Sequence, residues 1–434
     1  MTRRRGKGLD FSHPRRQHPT ASIMIPTKLV VLPDDLIFKI LSLLPVISLV
    51  RFTCVSKSWK TLIFDPTFVK LHLNRSSSTR NPPCTLITRN SYYKIHTIAY
   101  TAKGSPSVTS YEKHVLAVVP CSMQRLIENP SFTLFINRCY LFKDEECNEC
   151  TRMLGTCNGL ILHLTTAVFT HPPYLEYWFR LSNPATRTTS PKFGHFPSFP
   201  LQICFSFKFR FGYDNSTGTY KVVAYCCNPL EKRSIVRILT VGNFWRDIES
   251  FPAVPLHIDY DHDRYCHNGV YFSDTLNWLA IHNHNGIDYD FKNLRVEQFV
   301  IVSLELGTET YNQYLLPLGF DEVPPTQPTM KKFGVEESWT QFLKISCQNP
   351  SDKGFIEDDG MHYCRVVLLL LAEDGDTLML KSKGDKDAVL YYWKDNRKEQ
   401  IKFTASRFIT NNITREEVCG FWAMDYTESL VSIS

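Results

Sequence analysis

The chain has 434 residues, and fourteen cysteines and fourteen histidines raise the first question: whether any are spaced for chemistry. Cys147 and Cys150 form one C-x-x-C pair in "CNEC", with Cys139 and Cys157 near it. A structural zinc site needs four well-placed ligands, usually as two such pairs, and a second pair is missing. His257, His262 and His267 in "HIDYDHDRYCH", and His282 and His284 in "IHNHNG", stand among aspartates and asparagines. Polar turns between strands account for them without a metal. The sequence has no glycine-rich phosphate loop, no G-x-S-x-G elbow and no H-E-x-x-H pair, which are the local patterns that would commit it to phosphoryl, acyl or metal-assisted hydrolytic chemistry. It therefore assigns no catalytic residue, no metal and no cofactor, and the chain is expected not to be an enzyme.

The other chemistry a sequence can advertise is binding, and here one stretch stands out. "LPDDLIFKILSLLP", residues 32–45, carries a proline at each end. On a helical wheel Leu36, Ile37, Ile40, Leu41, Leu43 and Leu44 cover nearly half the circumference, a wider apolar stripe than burying one surface helix requires. Pro33 suits a first helical position, Asp34 and Asp35 favour the positive end of the helix dipole, and Pro45 is expected to stop the helix after Leu44. Further short helices follow: Ser48 and Ser56 are candidate N-caps, and Asp65 with Pro66 opens a last one. A helical unit of about forty residues seldom completes a core alone. The surplus apolar face is expected to lie against another protein, although the rest of this chain could also cover it.

The order of residues in this stretch resembles the F-box. Leu32, Pro33, Asp35, Leu36, Ile40, Leu41, Leu44, Pro45, Leu49, Arg51, Val55, Ser56, Lys57 and Trp59 match its pattern. The resemblance implies docking to the small adaptor subunit of a cullin-RING ubiquitin ligase. The residues expected at that contact are Pro33, Leu36, Ile37, Ile40, Leu44, Pro45, Leu49, Val55 and Trp59. Plant members often carry basic residues where this chain has Ile47 and Thr53, so the surface there should be less positive.

The formal net charge of +6 is carried by the first thirty residues, where Arg3, Arg4, Arg5, Lys7, Arg15, Arg16 and Lys28 face Asp10 alone. The body is then neutral, which argues against a domain built to track nucleic acid. Residues 1–30 read as a basic disordered tail, with no apolar segment of a secretory signal. No run is long and apolar enough for a membrane span. The protein is expected in the cytoplasm, the nucleus or both, with its thiols free.

From about Pro83 the period changes to short alternating or apolar runs bounded by turn residues. Hairpins are expected around Asn215 and Gly218, Asp274, Gly307, and Asp374 with Gly375. Recurrent hairpins suggest a propeller-like domain. "GTCNGLILHL", "NPATR", "FGYDNSTGTYKVV", "GVYFSDTLNWLA", "IVSLELGTETY", "KKFGVEESWTQF" and "YTESLVS" fall in the order seen in plant F-box associated domains of the F-box/kelch-repeat type. Ser182 departs from that pattern, which usually has tryptophan there. Gly159 and Gly212 are expected to supply backbone freedom, Asn183 and Thr186 turn hydrogen bonds, and Trp278 and Trp339 packing. In "DEVPPTQPTMKKFGVEESW" the prolines run almost directly into Met330, so about two strands of that pattern are missing and an incomplete blade is expected near 318–345.

The expected fold class is α+β multidomain: a small all-α F-box at 31–75, then a large all-β, propeller-like domain at 76–434. The expected function is substrate recognition for a cullin-RING ligase of the SCF type, the helices docking the adaptor and the β domain binding a target protein whose identity the sequence does not give. The alternative is a non-ligase interaction protein or decoy with a weakened target-binding domain.

Overall fold

The computed structural model describes residues 32–78, 84–100, 106–129, 131–134, 140–143, 149–170, 173–200, 207–228, 233–256, 269–282, 295–316, 329–330, 339–340, 366–371, 377–382, 388–392, 394–395, 397–405 and 413–433. Four helices come first: α1 (Asp34–Leu41), α2 (Val46–Phe52), α3 (Lys57–Ile63) and α4 (Pro66–Ser78). Pro33 and Pro45 are the residues just before α1 and α2, with φ of −55° and −59°. A residue preceding a helix needs no N–H bond, and the proline ring presets its φ. Two expectations shift accordingly. Helix α1 closes at Ser42 rather than after Leu44, and Pro45, not Ser48, stands at the start of α2. Ser56 does precede α3 in an extended conformation. Asp65 opens α4, its Oδ1 accepting from the backbone N–H of Thr67 at 2.8 Å and of Phe68 at 3.2 Å. Those are donors a helix start leaves without an internal partner.

The helices close over Leu41, Val46, Leu49, Ile63 and Phe68, each no more than 2% exposed. Phe38 meets Phe68 edge to face at 5.2 Å, and Phe52 meets Trp59 at 5.5 Å. Below this core, His72 Nε2 donates to the Leu44 carbonyl at 2.8 Å, and Arg75 Nη1 donates to Ser42 Oγ. Helix α4 thereby ties down the connection between α1 and α2.

From Cys84 onward the described backbone is almost all antiparallel sheet. One four-stranded sheet runs Ile413–Tyr426, Cys84–Tyr100, Pro106–Ser122, Tyr140–Lys143, so the last strand of the chain pairs with the first of the sheet region. The next comprises Glu149–Cys157, Leu160–Thr170, Pro173–Asn183 and Thr188–Thr189, with Phe193–Pro200 also paired to Pro173–Asn183. Then follow Lys208–Asp214, Thr219–Asn228, Arg233–Thr240 and Arg246–Ile248 as a meander, and a sheet built on Thr275–Ile281, Phe299–Glu305 and Tyr311–Leu315. A last four-stranded meander runs from Val366–Leu371 to Arg397–Gln400. Glu149–Cys157 lies beside both Lys208–Asp214 and Ile413–Tyr426, and the latter also touches Val366–Leu371. The layout is α+β: four helices, then antiparallel sheets set blade after blade. Between Leu315 and Val366 the described residues hold one short ladder, Thr329–Met330 with Trp339–Thr340. The rest of the expected incomplete blade near 318–345 lies outside the described residues, as does the turn at Asp374 and Gly375.

Apolar layers fill the spaces between sheets. Leu162, Tyr177, Phe179, Phe196, Phe209, Val222 and Ala224 form one, and Val223, Tyr225, Ile238, Leu276, Trp278 and Leu304 form the next. Trp278 packs edge-on against Tyr225 and Phe251 at 5.7 and 4.9 Å, as expected of a packing residue. The hairpin at Asp274 carries positive φ at Ser273 and Asp274, and Gly218 is left-handed at 71°. In the Gly307 hairpin, however, the left-handed residue is Glu309 at 60°. Gly212 owes its place to closeness rather than backbone freedom: a Cβ there would stand 2.6 Å from Tyr271 and 2.7 Å from Leu306.

Candidate partner-docking face

Seven of the eleven large apolar side chains exposed among the described residues fall in the helical module: Leu32, Leu36, Ile40, Leu43, Ile47, Val55 and Phe64. This concentration locates the site, because scattered exposed apolar residues are ordinary and clustered ones mark interaction surfaces. Leu36, Ile40 and Leu43 follow one another at helical spacing and are 45%, 50% and 73% exposed. Leu41 and Leu49, on the opposite side, are closed into the core. Helix α1 is therefore apolar on two sides, one spent on its own module and one left open.

The expected contact residues divide along the same line. Pro33, Leu36, Ile40, Pro45 and Val55 are exposed. Ile37, Leu44 and Trp59 are half-buried and pack against the helical core. Leu49 is fully buried and supports the face from beneath. Leu43 and Ile47, outside the expected set, are more exposed than most of its members; for Leu43 the wheel position was the available signal. Thr53, where a relative would carry a base, turns its hydroxyl to the Val50 carbonyl at 2.7 Å.

The module does not finish its core unaided. Leu430, 2% exposed, sits in the same cluster as Leu41, Val46, Leu49, Ile63 and Phe68, and Ala185 packs against it. Both come from the sheet region, so the chain covers one side of its own helices and leaves the other open. Ala185 lies in the "NPATR" turn. There Asn183 Oδ1 accepts from the backbone N–H of Ala185 at 3.0 Å, and Asn183 Nδ2 donates to the carbonyls of Ser429 and Val431.

The titratable groups buried among the sheets serve as structural ties. Lys221 Nζ lies 3.1 Å from Asp214 and 3.2 Å from Glu309, and also donates to the Leu306 carbonyl. Burial pushes the Asp214 carboxyl up, but the hydroxyls of Ser216 and Thr217 and the Lys221 ammonium outweigh it and hold the group well below the usual carboxylate range. Burial pushes the Cys157 thiol up to about 12, so it is a protonated core residue rather than a nucleophile. His163 Nε2 and Ser182 Oγ are 2.6 Å apart, both at most 2% exposed. Burial, assisted by the Arg180 charge, brings His163 down to about 3. This neutral, enclosed pair stands where relatives place a tryptophan. Among the described residues no three His, Cys, Asp or Glu side chains come close enough to hold a metal ion, and no helix is long and apolar enough to cross a membrane. Cys147, His257, His262, His267 and His284 lie outside the described residues.

These helices with an open apolar face are an F-box domain: residues 29–71 match the model of that domain. The chain as a whole is similar to plant F-box proteins. It is 28% identical to an F-box/kelch-repeat protein of Arabidopsis thaliana over 57% of this chain and 58% of that one. A putative F-box protein of the same plant is 25% identical over 90% of this chain and 86% of its own length. A further Arabidopsis F-box protein is 26% identical, across 68% of this chain and 55% of the relative. The alignments thus span between about half and nearly all of these relatives.

Proposed function

We propose that this chain is a substrate-recognition subunit of an SCF-type cullin-RING ubiquitin ligase, and that it carries out no catalytic step itself. The observation that carries this reading is the open apolar row of Leu36, Ile40 and Leu43 on an F-box domain whose other side is already filled. Such a face is the complement of an adaptor's apolar groove. The sheets then present a target protein, and the assembly raises the effective concentration of the target's lysines near a charged conjugating enzyme. We place the activity in the cytoplasm, the nucleus or both.

The test is capture of the small adaptor subunit by the full-length chain and by its Leu36→Asp variant. Leu36 is 45% exposed, so the charge is tolerated in the free protein and left unpaired only in the complex. Loss of affinity by about 100-fold or more is expected, with thermal unfolding unchanged. A folded Leu36→Asp chain that holds the adaptor as well as the parent would refute the reading.

A further inference from the structure

The C-terminal segment lies between two cores and contributes to both. Leu430 fills the helical core, while Val431 and Ile433 pack against the apolar layer between the second and third sheets. The segment is also fixed along its backbone. Asn183 Nδ2 donates to the Ser429 carbonyl at 3.1 Å and to the Val431 carbonyl at 2.9 Å. Ser429 Oγ donates to the Asn158 carbonyl at 2.7 Å and accepts from the Val431 N–H at 3.3 Å. Gly159, at φ +77°, lets the Asn158 turn approach: a Cβ there would meet Ser429 Cβ at 2.5 Å and the Thr427 carbonyl at 2.8 Å. From the sheet side, Ala185 reaches the same helical cluster, two residues after Asn183.

We propose that residues 427–433 are a positioning strap, with Asn183 and Leu430 as its anchoring residues, which holds the helices and the sheets at one fixed angle. The covalent link through residues 79–83 would by itself leave two tethered bodies free to reorient. A noncovalent seam at the far end of the chain removes that freedom, since each body's core is completed by a segment bonded to the other. Resting on the ligase-subunit reading, the consequence is functional: a fixed angle between the docking face and the sheets sets which lysines of a bound target come within reach of transfer. Asn183 and Leu430 then govern transfer geometry without touching adaptor or target.

The experiment uses the full chain and two variants that damage the strap differently, Leu430→Asp in the helical core and Asn183→Ala on the sheet. Each is treated with an amine-reactive cross-linker, and cross-links between lysines of the helices, such as Lys39, Lys60 and Lys70, and lysines of the sheets are mapped. Hydrogen exchange of the strands at 208–214 and 219–228 serves as the control on the sheet fold. In both variants the helix-to-sheet cross-links should spread to new lysine pairs, while the strands exchange within about threefold of the parent, because only a sub-global contact is lost. Leu430→Met should keep the parent's pattern. An unchanged cross-link pattern in both damaged variants, or sheets that lose protection together with the helices in both, would overturn the proposal. Adaptor capture on the same samples reads separately: a parent chain that fails to bind the adaptor removes the ligase reading and leaves the strap result standing.

Discussion

The side-chain amide of Asn183 lies 2.9 Å from the carbonyl oxygen of Val431, 248 positions further along the chain. Its Oδ1 meanwhile accepts the N–H groups of its own turn, Ala185 at 3.0 Å and Thr186 at 3.4 Å. One buried amide thus uses its acceptor locally and its donor at long range. Asn183→Asp keeps the acceptor, removes the donor and sets a carboxylate against two carbonyls. A loss of about 1–3 kcal/mol is expected from the unsatisfied groups, measured by denaturant unfolding. Asn183→Asp at parent stability would show that the long-range bonds carry no weight.

Two left-handed glycines should respond differently to a methyl group. Gly159 at φ +77° and Gly218 at +71° carry similar backbone cost, but a Cβ on Gly159 runs into Ser429 and the Thr427 carbonyl, whereas on Gly218 it meets only the Tyr213 hydroxyl at 3.7 Å. Gly218→Ala should cost about 1 kcal/mol. Gly159→Ala should cost clearly more, because the C-terminal segment must move. Equal shifts in the thermal midpoint would mean that the segment yields freely.

Lys221 is the shared cation of two enclosed carboxylates, with side chains 1% exposed at Asp214 and 13% at Glu309. Lys221→Met leaves both without it, and a loss of about 3–5 kcal/mol is expected. The depressed acidity of Asp214 also fixes a sign. Its contribution is complete above the ordinary aspartate range and is lost as pH falls below that range towards its own lower value. Acid titration of unfolding should therefore be steeper in the parent than in Asp214→Asn.

His163 gives the opposite end of the mild-acid range its slope. Its ordinary value is 6.5 and its value in the fold about 3, so the fold binds the neutral ring. Stability is complete above 6.5 and is lost as pH falls from there towards 3, by about 1.4 kcal/mol per unit from this group. His163→Gln can still donate to Ser182 but does not titrate. Denaturant midpoints between pH 6.5 and 5 should flatten in His163→Gln; a slope equal to the parent's would assign the effect elsewhere.

What the sequence determined by itself is what depends on near neighbours. Pro33, Pro45, Ser56 and Asp65 mark helix starts because a fixed φ or a short polar side chain acts within three residues. Leu36 and Ile40 share an exposed face because a helix turns about 100° per residue. The Asp214 and Asp274 turns are legible for the same local reason, and the resemblance of the N-terminal stretch made its partner class readable. Helix α1 ended earlier than expected because Ser42 and the tie from α4 to Leu44 closed the turn, a contact 28 residues away. Only the tertiary structure decided that Leu49 faces inward, that Gly212 is a close approach rather than a turn, that Ser182 meets His163, and that Leu430 belongs to the helical core. Those outcomes depend on which apolar faces meet across the molecule. Side chains that touch there gain dispersion and burial from partners hundreds of residues away, and no pattern within a short window records which partner that is.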